Sequence, residues 1–287
     1  MKTVYYFIIA ILICLTLTSA SQKTPENQNS IILQATDNKV TSQLLTQSAG
    51  IIADRLKAYG AKATVSIIFD KGQIKVQLPG DIKVSEIEGL LTARGDLGFY
   101  ETLTLKEIAD LLKTRNQQHL LKTDPAARFS DARLGCSAFE NQGIADTIEK
   151  CLKSINLSSD YTLFRGKPDS KSMICLYALK TSYTGTTPLV RSDVETIKSS
   201  QDMNSKTVAI NIKFKPAASK IWAIETKNNL GKPVAIVIDD KVFYTPVVNT
   251  PIESGLCEIS GNFTQKDADY FLAIVNNGPL PLKFILK

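Results

Sequence analysis

The sequence predicts an α+β fold, and three observations predict it. The apolar residues Val65, Ile67 and Phe69, then Ile74, Val76 and Leu78, alternate on either side of Asp70-Lys71-Gly72, the pattern of a β-hairpin. From Ser42 to Tyr59 the residues Leu44, Leu45, Ile52, Leu56 and Tyr59 fall on one stripe of a helix. From Val234 to Asn277 the chain passes through apolar strand patterns into a helix, with no internal repeat.

The elements follow in order. Ile31, Leu33 and Ala35 alternate as a first strand, and the Ser42–Tyr59 helix ends at Gly60. The hairpin comes next and stops at Leu78-Pro79-Gly80. Ser85 and Glu88 have the spacing of a capping box, which opens a helix burying Ile87, Leu90 and Leu91. A strand from Asp96 to Thr102 completes the order β-α-β-β-α-β, the ferredoxin-like arrangement. Further on, helices are expected at 105–121 and 144–157, strands at Tyr161–Phe164 and Met173–Leu179, and a loop at 181–188. Val208, Ile210, Ile212 and Phe214 alternate as a strand, and Pro216 opens a helix carrying Ile221, Trp222 and Ile224. Strands Val234–Ile238 and Val242–Val248 flank the turn Asp239-Asp240-Lys241. A short strand at Cys257 and Ile259, a Thr264-capped helix ending at Asn277-Gly278-Pro279, and a strand within 280–286 close the chain.

Composition narrows the function. The 287 residues are 44% hydrophobic and 22% charged, an ordinary globular balance. The net charge is +6, but the basic residues are dispersed among acidic ones, which describes a solvated surface and no nucleic-acid partner. Met1-Lys2, the apolar run Val4 to Leu17 and then Thr18-Ser19-Ala20 form a secretory signal pattern over residues 1–20, and 21–29 read as a flexible tether. The expected location is the periplasm or cell envelope. Membrane contact is expected only through the N-terminal segment, if it stays uncleaved. After the signal four cysteines remain, Cys136, Cys151, Cys175 and Cys257, which allow three pairings. Cys136 with Cys151 is the pair nearest in sequence; the alternative is free, buried thiols.

Catalytic constellations are missing from the sequence. The single histidine, His119, has no cysteine or second histidine at ligand spacing, so no metal site, serine triad or cysteine nucleophile is expected. Leu230-Gly231-Lys232 resembles the end of a phosphate loop, but Thr226 stands where the first glycine is needed and Pro233 blocks the helix. Asp239-Asp240 lies between two apolar strands and reads as a turn rather than a carboxylate pair. No cofactor is expected, and the chain reads as a binding module rather than an enzyme. Tyr161, Phe164, Tyr177 and Tyr183 are the candidate residues for contact with an extended polypeptide; the alternative is ordinary core and edge packing.

Two blocks carry a family resemblance. The first contains RLKAYGAKATVSIIFDKGQIKVQLPG and LLTARGDLGFYET; the second, from Leu176 to Pro281, contains LYALK, VAINIKF, KIWAIETKNNLGKPVAIVIDDKVFYTPVV and ISGNFTQKDADYFLAIVNNGPLP. In these the chain resembles the first periplasmic domain, P1, of SecD and of the fused SecDF protein of the bacterial Sec translocon. The resemblance implies a ferredoxin-like base, residues 30–102 with 280–287 returning to it, and an inserted α+β head, 103–279. It implies that the domain holds unfolded or translocating polypeptide outside the membrane, with Sec translocon subunits as further partners. In the family, head movement is tied to proton flow through transmembrane helices. Such helices are not recognised in residues 21–287, so proton coupling is not expected of this chain. The alternative is an envelope adaptor that keeps the fold without the export role.

Overall fold

The computed structural model describes residues 28–80, 82–114, 132–133, 135–138, 161–166, 173–181, 188–201, 207–260 and 264–287. The expected signal (1–20), residues 21–27 of the tether and the helix expected at 144–157 lie outside them.

The chain opens with β1 (Gln28–Ala35), α1 (Ser42–Ala58), β2 (Thr64–Ile68), β3 (Gln73–Pro79) and α2 (Val84–Thr92). Next come β4 (Leu97–Glu101), α3 (Leu105–Thr114), β5 (Gly135–Ala138), β6 (Tyr161–Gly166) and β7 (Met173–Lys180). They are followed by β8 (Leu189–Val190), β9 (Val194–Gln201), β10 (Val208–Phe214) and α4 (Pro216–Asn228). The last are β11 (Val234–Ile238), β12 (Lys241–Tyr244), β13 (Leu256–Ser260), α5 (Gln265–Asn276) and β14 (Phe284–Leu286).

The base is the antiparallel sheet β14-β1-β3-β2 with α1 and α2 packed against it. Alternation turns Ile31 and Leu33 of β1, and Ile74, Val76 and Leu78 of β3, into the core. They meet Leu45, Ile52 and Leu56 from α1 and Ile87, Leu90 and Leu91 from α2. Thr41 caps α1 by accepting from the Leu44 amide at 3.2 Å, and Gly72, with φ 60°, closes the β2–β3 turn.

Two expectations are corrected here. α2 begins at Val84 after Lys83, with no side-chain cap, so Ser85 already stands inside the helix and its box does not form. The strand expected over 96–102 exists as β4, but it leaves the base. It pairs with β11 and β8, and β14 takes the place beside β1 instead. The reason is burial. Leu97, Gly98 and Phe99 are all buried, and every residue of β11 is too, so these two strands suit the middle of a larger sheet.

The head holds the other two sheets found among the described residues, β13-β10-β9 and β5-β7-β6-β12-β11-β4-β8. The fold is therefore a ferredoxin-like base with an α+β head inserted before its last strand. One apolar core runs from base to head, from Leu56 and Leu90 to Phe214, Trp222 and Phe271. A second, smaller cluster takes the alternate residues of β11, Ala235 and Val237, together with Tyr177, Leu179 and Val242. Helix α5 packs on α1 and α2 of the base and also on β9 and β10 of the head.

Candidate functional site

The chain crosses from base to head at Ala93-Arg94-Gly95-Asp96 and returns between α5 and β14. Arg55 lies beneath both crossings. It sits on the buried stripe of α1 beside Ile52 and Leu56, and it is fully buried. Its Nη1 donates to the Ala93 carbonyl at 2.5 Å and the Leu90 carbonyl at 3.4 Å. Its Nη2 donates to the carbonyls of Arg94 and Gly278, both at 2.8 Å. The Leu280 amide also donates to the Arg94 carbonyl, at 2.8 Å, which ties the returning strand to the outgoing one.

Asp239 holds the same linker from the head. It is the first residue of the β11–β12 turn and has φ 57°, a left-handed conformation that aspartate tolerates better than most residues. Its carboxylate accepts from the amides of Arg94 at 2.9 Å, Gly95 at 2.8 Å and Asp96 at 3.0 Å. Its own amide donates to the Asp96 carbonyl at 2.8 Å. Linker carbonyls thus go to a buried guanidinium and linker amides to a carboxylate, so the peptide is clamped between opposite charges. Burial lowers the Arg55 pKa to about 10, with Asp239 opposing that shift, so the guanidinium stays protonated at neutral pH. Gly95 has φ 95°, and a Cβ there would come within 2.7 Å of Arg55 Nη2.

Packing contacts surround this clamp. Tyr270 of α5 places its hydroxyl over Gly89 of α2, where a Cβ would collide with it. Burial pushes the Tyr270 phenol up to about 12. Tyr59 meets Tyr270 edge to face at 6.1 Å. At the rim, Lys266 pairs with Glu86 at 2.5 Å and lies over the Tyr59 ring. Arg191 donates from Nε to the Val275 carbonyl at 2.9 Å, a cation at the C-terminal end of α5.

The residues expected to touch polypeptide are dispersed. Tyr161 and Phe164 lie half-buried on β6, and Phe164 stands opposite Tyr177 in register. The Phe164 ring packs against Tyr100 at 5.9 Å. Tyr177 is 9% exposed, and its ring is taken up by the second core because alternation on β7 turns it there with Leu179. Tyr183 lies outside the described residues, as do His119 and Cys151, so the pairing of Cys136 with Cys151 falls outside them too. β5 sets Cys136 opposite Cys175 in backbone register, and Cys175 is disulfide-bonded rather than free. Cys257 is a free, buried thiol that burial pushes up to about 12. Among the described residues no group of three or more His, Cys, Asp or Glu could hold a metal ion, and no helix is long and apolar enough to cross a membrane.

Residues 177–282 match the family described as the P1 head subdomain of SecDF. In that stretch the chain is similar to the head of the SecDF P1 domain. The protein translocase subunit SecD of Rickettsia bellii is 40% identical over 92 residues, which are 31% of this chain and 18% of that protein. The SecD subunit of Aquifex aeolicus is 27% identical over 249 residues, 86% of this chain and 40% of that protein. The chain spans less than half the length of either relative. A crystal structure of SecDF in a super-membrane-facing form aligns over 90% of this chain and 29% of that one, at 19% identity and a TM-score of 0.48.

The clamp was not anticipated from the sequence. Arg55 had a visible signal, a charged residue at i+3 from Ile52 on an otherwise apolar stripe. Asp239 had none, because its partners lie more than 140 residues away along the chain.

Proposed function

We propose that this P1 domain binds unfolded or translocating polypeptide on the periplasmic side of the membrane, in support of Sec-dependent export. It acts there as a binding module and not as a catalyst, with Sec translocon subunits as neighbours. The match of residues 177–282 to the P1 head subdomain carries this reading. The junction supports it. The head is an insertion whose two crossings are both held by Arg55, so a load on the head passes into the base through fixed contacts. Tyr161 and Phe164 are the proposed polypeptide contacts that remain partly accessible.

The test is binding of the purified chain to a permanently unfolded, fluorescently labelled protein, followed by fluorescence anisotropy. Saturable binding to the unfolded form, with none to its folded counterpart, is expected. No affinity for the unfolded form overturns the reading. In cells, site-specific crosslinking from the head is expected to capture nascent exported chains or translocon subunits. Adducts with envelope proteins alone identify an adaptor instead.

A further inference from the structure

Sheet β13-β10-β9 has two edges, and they differ. α5 packs on β9, and Asn276 of that helix donates from Nδ2 to the Ile197 carbonyl at 3.1 Å, so this edge is partly closed. β13 is the other edge. The Phe214 amide donates to the Gly255 carbonyl at 3.0 Å, and Lys213 lies opposite Leu256, which fixes the residues of β13 that face β10. Gly255, Cys257 and Ile259 turn their backbone groups to β10, and Leu256, Glu258 and Ser260 turn theirs outward. The Leu256 amide is met by Ser254 Oγ at 3.3 Å. Among the described residues no strand or side chain pairs with the Leu256 carbonyl, either backbone group of Glu258 or the Ser260 amide.

These groups recur at every second residue, about 7 Å apart, and an extended backbone meets them in turn. Natural edges are guarded by proline, lysine, a bulge or a covering element. β13 has no proline, lysine or bulge, and its first side chain, Leu256, is 60% exposed. Its single charge is Glu258, which is exposed on the same outer face as Leu256 and stands at the centre of the strand. That position decides between occupants. Two copies of this strand paired antiparallel in register would set Glu258 against Glu258, a like-charge pair that opposes self-association. A foreign strand with a basic residue opposite Glu258 gains where the second copy loses.

We infer that the free edge of β13 takes an extended segment of another polypeptide as a further strand of this sheet. The segment is held by its main chain, with a basic residue preferred opposite Glu258. The inference rests on the polypeptide-binding reading and adds how the chain is held. Main-chain pairing makes little demand on side chains, which suits a module that meets many sequences.

The test titrates short, dye-labelled peptides rich in threonine and valine into the full chain. One carries a central lysine, one a central glutamate, and a third is the lysine peptide N-methylated along its central residues. Anisotropy reads binding, and residue-resolved hydrogen exchange reads the edge. The lysine peptide is expected to slow exchange at the Glu258 and Ser260 amides about tenfold or more, and to leave β2, an edge of the base sheet, unchanged. The N-methylated peptide has lost its donors and is expected to bind about tenfold more weakly. The glutamate peptide is expected to bind about two- to fivefold more weakly than the lysine peptide, and Glu258→Lys to reverse that order. Glu258→Pro removes an outward donor and no bond to β10, so it is expected to keep the fold and lose the binding. Exchange slowed by raising the concentration of the chain alone would show that a second copy takes the edge, and overturns the inference. Binding of the lysine peptide with unchanged exchange at Glu258 and Ser260 overturns the edge and leaves polypeptide binding standing. Binding of no peptide overturns both.

Discussion

The head meets the base in two ways that obey different physics. At 93–96 the contact is polar, with backbone groups divided between the buried Arg55 and the half-buried Asp239. Along α5 the contact is packing, with Tyr270 over Gly89 and against Tyr59, and an ion pair only at the rim. Directional hydrogen bonds to a buried guanidinium allow one geometry, whereas a packed helix face can shift slightly without losing area. The crossing therefore fixes where the head stands, and α5 supplies the area that keeps it there.

Removing the guanidinium tests the polar region hardest. Arg55→Met leaves the part-buried carbonyls of Ala93 and Gly278 unmet and that of Arg94 with only the Leu280 amide, and a cost of about 3–5 kcal/mol is expected in urea denaturation. Asp239→Asn keeps a side chain that tolerates positive φ but loses the charge over three amides, for an expected cost of about 1–3 kcal/mol. The two share one linker, so the double variant is expected to cost less than the sum of the singles. Strict additivity would mean that they act separately.

The packed region breaks differently. Gly89→Ala drives a methyl into the Tyr270 hydroxyl, with an expected loss of about 1–3 kcal/mol. Adding Tyr270→Phe removes the colliding oxygen and is expected to restore much of it. A single Gly89→Ala protein as stable as wild type would show that α5 does not seat there. Alkaline pH probes the same place. The Tyr270 phenol ordinarily titrates near 10 and is held up to about 12, so the unfolded chain loses its proton first as pH rises. Its contribution is complete below pH 10 and is lost on going from 10 to 12, so Tyr270→Phe is expected to flatten the fall of melting temperature over that window. The smallest effect is expected from Lys266→Ala, because its partner Glu86 is solvent-exposed and salt screens such a pair. A melting temperature within about a degree of wild type is expected, and the difference should vanish in high salt.

The base was legible because its signals are local. The α1 stripe, the Gly72 turn and the alternation in β1 and β3 each lie within a few residues. β4 shows where such reasoning stops. Alternation announces a strand but does not name its partner, and Phe99 found β11 rather than β1. Ser85 had the right spacing for a cap but the wrong place, since the helix starts one residue before it. Tyr177 illustrates the same limit among the candidate residues. An aromatic in a strand reads alike whether it faces solvent or a core, and the second cluster decided it. Asp239 was read correctly as a turn residue, but its carboxylate serves a distant linker and not its own loop.

Both ends of the head converge on Arg55, whose Nη2 alone touches Arg94 on the way out and Gly278 on the way back. The base thus sees the whole insertion as a loop with its mouth already shut. Closing a loop costs little more as the loop lengthens. A body of any size can therefore hang from this doorway with little added cost to the sheet beneath it. A different body could be carried on the same threshold provided that α5 stays, because its apolar face completes the core over α1 and α2.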